Sequence, residues 1–197
     1  MHLFACCSEP GCEGLAFADG KKCLRHSEGK AMAEAARFLE SAEAHRDVYL
    51  AGGSFEGLNL SGRRFYGCSF AGASLRGILF TNAVFRLCFF DRAIIDSCDF
   101  SRVDAQFCSF GGARIDNVSF EKSELLHDSF VGARISECTF SNSNLYDSRF
   151  ISCELRNSDF EDCNLKRVYV IPSREEHVSF KYSNTMEAVR DEEHLYL

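Results

Sequence analysis

The chain has 197 residues, 46% of them hydrophobic and 26% charged, with a formal net charge of −7. That composition excludes a disordered or fibrous chain, and the length suits one domain with a small appendage. No apolar run approaches the roughly 20 residues that span a bilayer, and the acidic balance disfavours a nonspecific nucleic-acid binder.

The first 26 residues are cysteine-rich. Leu3-Phe4-Ala5-Cys6 has the outline of a lipoprotein cleavage box but lacks the apolar stretch and basic start of a signal peptide. Eleven thiols without that signal point to a reducing cytoplasm. Cys7, Cys12, Cys23 and His26 read C-x4-C-x10-C-x2-H, with Gly11, Gly14 and Gly20 available for turns. Three thiolates and one imidazole meet the tetrahedral demand of Zn²⁺, and four good ligands describe a closed structural site rather than a catalytic one. A segment this short has no core of its own, so metal would supply its stability. Because Cys6 and Cys7 are adjacent, Cys6 is an alternative first ligand.

Residues 27–49 read as a capping helix. Met32, Ala35, Leu39 and Ala42 recur at helical spacing, and Ser27 is a candidate N-cap. The expectation is that this helix covers one end of the next region by burying Phe38 and Leu39.

From Phe55 to Val170, every fifth residue is apolar, and 13 of these 24 positions are Phe. Two residues earlier the side chain is usually small. All seven cysteines beyond Cys23 (Cys68, Cys88, Cys98, Cys108, Cys138, Cys153, Cys163) sit there. Two residues later a turn former is frequent, as in Gly57, Asn82, Gly112 and Asn142. A period of five fits neither a helix at 3.6 nor a strand at 2.0. It describes a short bridge and a corner, repeated, with one large and one small side chain inward.

Segments such as Ala73-Ser74-Leu75-Arg76-Gly77, Cys98-Asp99-Phe100-Ser101-Arg102 and Cys163-Asn164-Leu165-Lys166-Arg167 carry a resemblance to the pentapeptide-repeat family over residues 53–172. The resemblance implies an all-β solenoid, a right-handed quadrilateral β-helix with four repeats per coil and about six coils over residues 50–172. Read at a spacing of 20, the residues agree with four sides. Phe80, Phe100, Phe120, Phe140 and Phe160 form one column, and Phe70, Phe90, Phe110, Phe130 and Phe150 another. The columns between them are mostly aliphatic.

Residues 173–197 read as a C-terminal cap or dimerisation tail. His177-Val178-Ser179-Phe180 resembles one isolated repeat, and residues 184–197 suit a short helix ending in Leu195-Tyr196-Leu197.

Chemistry is sparse within the repeats. The column Cys68, Cys88, Cys108 is read as packing, since buried cysteine is a small hydrophobe. Asp128 takes the next step of that column, where a small apolar residue is expected, and must find donors or be protonated. Its neighbour His127 invites an acid–base reading, but no nucleophile or phosphate loop accompanies it. Outward positions carry an apolar belt of Leu79, Val84, Phe89 and Ile94. A second patch comprises Leu126 and Tyr146 in one column beside Val131, Ile151 and Ile171 in the next, and Leu126, Val131, Tyr146 and Ile151 are the candidate interface.

These features describe a non-enzymatic protein–protein interaction scaffold with an unknown partner. A homodimer through the tail or the apolar patch is open. An enzyme built on Asp128 or the zinc is the weakest reading. The family also includes DNA mimics that modulate the type II topoisomerase DNA gyrase, which is the alternative. Mimicry needs a continuous negative surface, whereas residues 50–170 hold 15 acidic and 13 basic residues.

Overall fold

The computed structural model describes residues 5–17, 21–27 and 29–191. The predicted Leu195-Tyr196-Leu197 tip lies outside the described residues.

The chain winds as a four-sided parallel β-solenoid in which residue i pairs with residue i+20, as Phe65 does with Phe85. On the first face, Ala44–Arg46, Arg64–Tyr66, Val84–Arg86, Asp104–Gln106 and Glu124–Leu126 form a five-stranded sheet. The opposite, third face is a seven-stranded sheet running from Ser54–Glu56 to Arg174–Ser179. The second and fourth faces are held mainly by single bridges, Ser69–Phe89–Ser109–Ser129–Arg149 and Asn59–Leu79–Asp99–Ser119–Thr139–Asp159.

Seven strands on one face make seven turns, one more than the sequence period suggests. The surplus comes from both ends. His45 occupies an inward centre and stacks on Phe65 at 5.1 Å, a polar residue doing what Phe does elsewhere. At the other end Arg174–Ser179 pairs with Glu154–Asp159, and Phe180 stacks on Phe160 at 5.2 Å, so the supposed isolated repeat is part of the last turn. Of the predicted C-terminal helix, the described residues show only a 3₁₀ turn at Thr185–Glu187. Val189 then bridges to Tyr169.

Inside, the two phenylalanine columns stack face to face along the axis. Phe90–Phe110 and Phe110–Phe130 lie 4.8 and 4.7 Å apart with rings nearly parallel. Across the lumen the columns meet edge to face, as Phe110 meets Phe120 at 6.1 Å and 90°. Such pairs add about 0.5–1.5 kcal/mol beyond burial. Phe120 touches four other rings, Phe100, Phe110, Phe130 and Phe140. Phe120→Ala is therefore expected to cost about 3–5 kcal/mol in urea unfolding. A loss under about 1 kcal/mol would contradict this packing.

Corners explain the turn formers. The corner residue two after each centre has positive φ whether it is Gly72 at 61°, Asn117 at 53° or Leu87 at 54°. Glycine and asparagine adopt this region cheaply, and other L-residues at some cost.

The N-terminal end is covered by α1, Gly29–Ser41. Ala35 and Leu39 are its buried residues, and the Leu39 carbonyl accepts a 3.0 Å hydrogen bond from His45 Nε2. Phe38 departs from expectation: it is 42% exposed and meets only the edge of His45. The hydroxyl of Ser27, the candidate N-cap, donates to the Cys23 carbonyl at 2.9 Å, so it ties the cysteine-rich turn together.

Candidate metal centre and interaction surfaces

The cysteine-rich segment folds around its predicted ligands. An antiparallel bridge joins Cys6 to Leu15, the Cys7 amide donates to Gly14 O at 2.7 Å, and the Cys12 amide closes a turn on Glu9 O through Gly11. Cys23 precedes the 3₁₀ turn Leu24–His26, which swings the imidazole back over it. The result gathers Cys7, Cys12, Cys23 and His26 with all four ligand atoms within 4.8 Å of one another. Cys6 is exposed, and neighbouring residues of a strand point opposite ways, so Cys7 is the residue brought in.

His26 Nδ1 lies 3.5 Å from the sulfurs of both Cys7 and Cys23, and the Cys12 and Cys23 sulfurs are 3.8 Å apart. The Cys23 backbone amide, aided by that of Glu9, pulls the Cys7 thiol down to about 6, while burial raises Cys23. This is a four-ligand Cys3His group with the spacing to hold a metal ion.

The cluster is tied to the solenoid. Leu24 is buried in the common core, and Arg25 lies across Gly52 and Gly72, where an added Cβ would meet its side chain at 3.0 and 3.3 Å. Between them runs a cleft of about 620 Å³ bordered by Cys12, Cys23, Tyr49, Ala71 and Arg92.

The inward thiols of the repeats are packing residues. Burial pushes Cys98 up to about 11 and Cys138 and Cys153 to about 12. Cys88 Sγ sits 3.4 Å from the Phe65 carbonyl. No metal-ligand group forms there among the described residues.

Asp128 also points inward. Its Oδ1 accepts the Cys108 amide at 2.7 Å, its own amide donates to Ser148 Oγ at 2.9 Å, and Oδ2 is buried without a partner. Burial pushes its pKa up to about 8 against the pull of the Cys108 amide and Arg86. His127 instead points outward, bonded to Asp147 Oδ2 at 2.9 Å and stacked on Phe107 at 4.8 Å. The two residues form no acid–base pair.

Of the predicted patch, Val131 is exposed, Leu126, Tyr146 and Ile151 are half-buried, and Ile171, expected to face outward, is buried in the last turn. Leu126 and Tyr146 border a corner on the first face, and Val131 and Ile151 lie on the second. In the belt, Leu79, Phe89 and Ile94 are exposed and Val84 is half-buried. Sequence reasoning missed the corner column itself. Leu87 and Phe107, 58% and 55% exposed, both hold positive φ, and His127 continues the ridge to Tyr146. The signal was a large apolar residue at a position that favours glycine or asparagine.

Residues 103–189 match the family model described as pentapeptide repeat region, and residues 46–82 and 64–102 match pentapeptide repeats (8 copies). No curated protein matches the chain significantly. Among solved structures, a trypsin-treated QnrB1, a plasmid-mediated fluoroquinolone resistance protein, is 20% identical over 72% of this chain and 81% of its own, with a TM-score of 0.41. HetL, a pentapeptide repeat protein involved in heterocyst differentiation regulation in the cyanobacterium Nostoc sp., is 9% identical over 83% and 95%, at 0.31. A pentapeptide repeat protein from the Arabidopsis thaliana thylakoid lumen is 22% identical over 64% and 75%, at 0.27. The five-residue period, the four-sided coil and the two family-model matches agree: the chain belongs to the pentapeptide-repeat family.

Proposed function

We propose that the chain is a non-enzymatic protein–protein interaction scaffold of the cytoplasm, with its N-terminal segment folded on a structural Zn²⁺. The observation that carries the scaffold reading is the corner ridge. Leu87 and Phe107 hold strained backbone while exposing their side chains, a combination that stability alone does not favour. Leu126 and Tyr146 flank the ridge and extend it as a contact surface, with Val131 and Ile151 around the corner. No constellation of nucleophile, base and oxyanion donor accompanies Asp128, which supports a role without catalysis.

Zinc is supported by the donor set and its spacing. With Zn–S near 2.3 Å and Zn–N of 2.0–2.1 Å, a tetrahedron has S–S edges of about 3.8 Å and S–N edges of about 3.5 Å. Of the six edges here, Cys12–Cys23 at 3.8 Å and His26 to Cys7 and to Cys23 at 3.5 Å match these lengths, and all four ligand atoms lie within 4.8 Å of one another. Four protein ligands leave no open position for a reacting water.

The alternative, a DNA-mimicking modulator of DNA gyrase, finds less support. The third face neutralises its carboxylates in rungs such as Arg76–Asp96 at 3.1 Å and Arg134–Glu154 at 3.3 Å.

The scaffold reading is tested with Leu87→Lys/Phe107→Lys protein as bait in its native lysate. Co-purifying proteins seen with wild type should be lost while thermal stability stays equal or rises. Identical capture by both baits would remove the ridge from the function.

A further inference from the structure

The second face carries an unpartnered cation beside exposed apolar groups. One ladder runs along it: Tyr49, Ser69, Phe89, Ser109, Ser129, Arg149, Tyr169 and Val189. Phe89 is 46% exposed, and the Arg149 guanidinium has no hydrogen-bond or ion-pair partner among the described residues. The contrast is with the third face, where Arg76, Arg114, Arg134, Arg156 and Arg174 all meet carboxylates.

The two halves of this face differ in relief. Its N-terminal half contains a depression of about 480 Å³ lined by Ser69, Ala71, Phe89, Asp91, Arg92 and Gly111. Its C-terminal half presents Val131, Arg149, Ile151 and Tyr169. A two-fold axis lying in the face, perpendicular to the ladder and passing between Ser109 and Ser129, would bring the relief of one copy onto the hollows of another. Tyr169 would then face Ser69, Val131 would face Gly111, and Arg149 would face Phe89. An Arg149 guanidinium stacked on the partner's ring also reaches towards the partner's Asp91, whose Oδ1 accepts from Ser109 Oγ at 2.6 Å but which has no ion-pair partner among the described residues, so the unpaired cation gains both a π-face and a carboxylate. Opposite Val189 stands Tyr49, beside the cleft under the cysteine-rich segment, which leaves room for the partner's last turn.

We infer that two copies of this chain pair through their second faces, antiparallel and with closed two-fold symmetry. The pairing is isologous, so every contact occurs twice. The pairing face takes in Val131 and Ile151 but not Leu87 or Phe107, the residues of the corner ridge that carry the scaffold reading. A monomeric protein that still captures its partner would end this inference and leave the scaffold reading intact.

The test is sedimentation of the full chain at micromolar concentrations, with charge reversals placed outside the core. Wild type should sediment as a dimer. Asp91→Arg and Arg149→Glu should each weaken the dimer at least about tenfold, because each sets like charges opposite one another at both contacts. Mixing the two variants should restore a dimer with one copy of each, since the arginine introduced in one chain then meets the glutamate introduced in the other. That rescue separates pairing from misfolding, because two unfolded variants cannot restore one another. A monomeric wild type, or a dimer indifferent to both reversals, would overturn the inference.

Discussion

Asp128→Ser is expected to stabilise the protein by about 2–4 kcal/mol near pH 8 and to have little effect or a slight cost near pH 4. Four serines show what the buried slot asks for. Ser123, Ser143, Ser148 and Ser158 each accept a backbone amide one turn away, and each hydroxyl also donates to a carbonyl, as Ser148 does to Leu125 O at 2.8 Å. Asp128 performs the accepting half through Oδ1 but leaves Oδ2 buried and unpartnered.

Burial raises this carboxyl from its ordinary 3.8 to about 8. Between those values the folded chain holds a proton that the unfolded chain has released. The contribution of Asp128 to stability is therefore largest at low pH, falls as pH rises from about 4 to about 8, and is flat above that. Four units at about 1.4 kcal/mol each set an upper bound near 5–6 kcal/mol, and the volume lost on truncation to serine offsets part of it. Urea unfolding of wild type and variant at the two pH values gives the difference directly. A gain equal at both would show that the carboxyl does not titrate as its burial demands.

The same residue marks how far the sequence could be read. The five-residue period assigned every inward centre from Phe55 to Val170 correctly, because a one-residue slip would turn the whole core outward. The end turns were less legible. His45 breaks the apolar rule yet is buried, since α1 supplies a carbonyl for its ring nitrogen. Pattern alone cannot see a partner that arrives from another element. Phe38 was misplaced for a related reason: helical spacing gives a face but not how far that face overlaps the tube. Leu87 and Phe107 were invisible as a ridge because a corner's positive φ is imposed by the ladder. Their amides donate to Gln106 O and Leu126 O at 3.1 Å, and the side chain has no vote. The Cys3His group was legible as a set, whereas the choice of Cys7 over Cys6 needed the strand that turns one inward and the other out.

On the proposed zinc site, removing the metal is expected to unfold the cysteine-rich segment while leaving most of the solenoid intact. A segment this short cannot build a large core of its own, and structural zinc in finger-like sites contributes about 10–16 kcal/mol of apparent binding free energy. Without it, the turn that seats Leu24 in the core and lays Arg25 on Gly52 and Gly72 loses its anchor. The phenylalanine columns depend on neighbours above and below, so the loss should be confined to the first turn or two. Native protein should carry about one zinc per chain by elemental analysis, and chelation should open Lys21, Lys22 and Arg25 to trypsin. Cys23→Ser should reproduce this in the absence of chelator, because Cys23 lies between Cys12 and His26. Cys6→Ser should keep full zinc and full protection. Protease resistance that survives complete demetallation would show that the segment folds on its contacts with the solenoid instead. Zinc retained by Cys7→Ser but lost by Cys6→Ser would exchange the two first ligands.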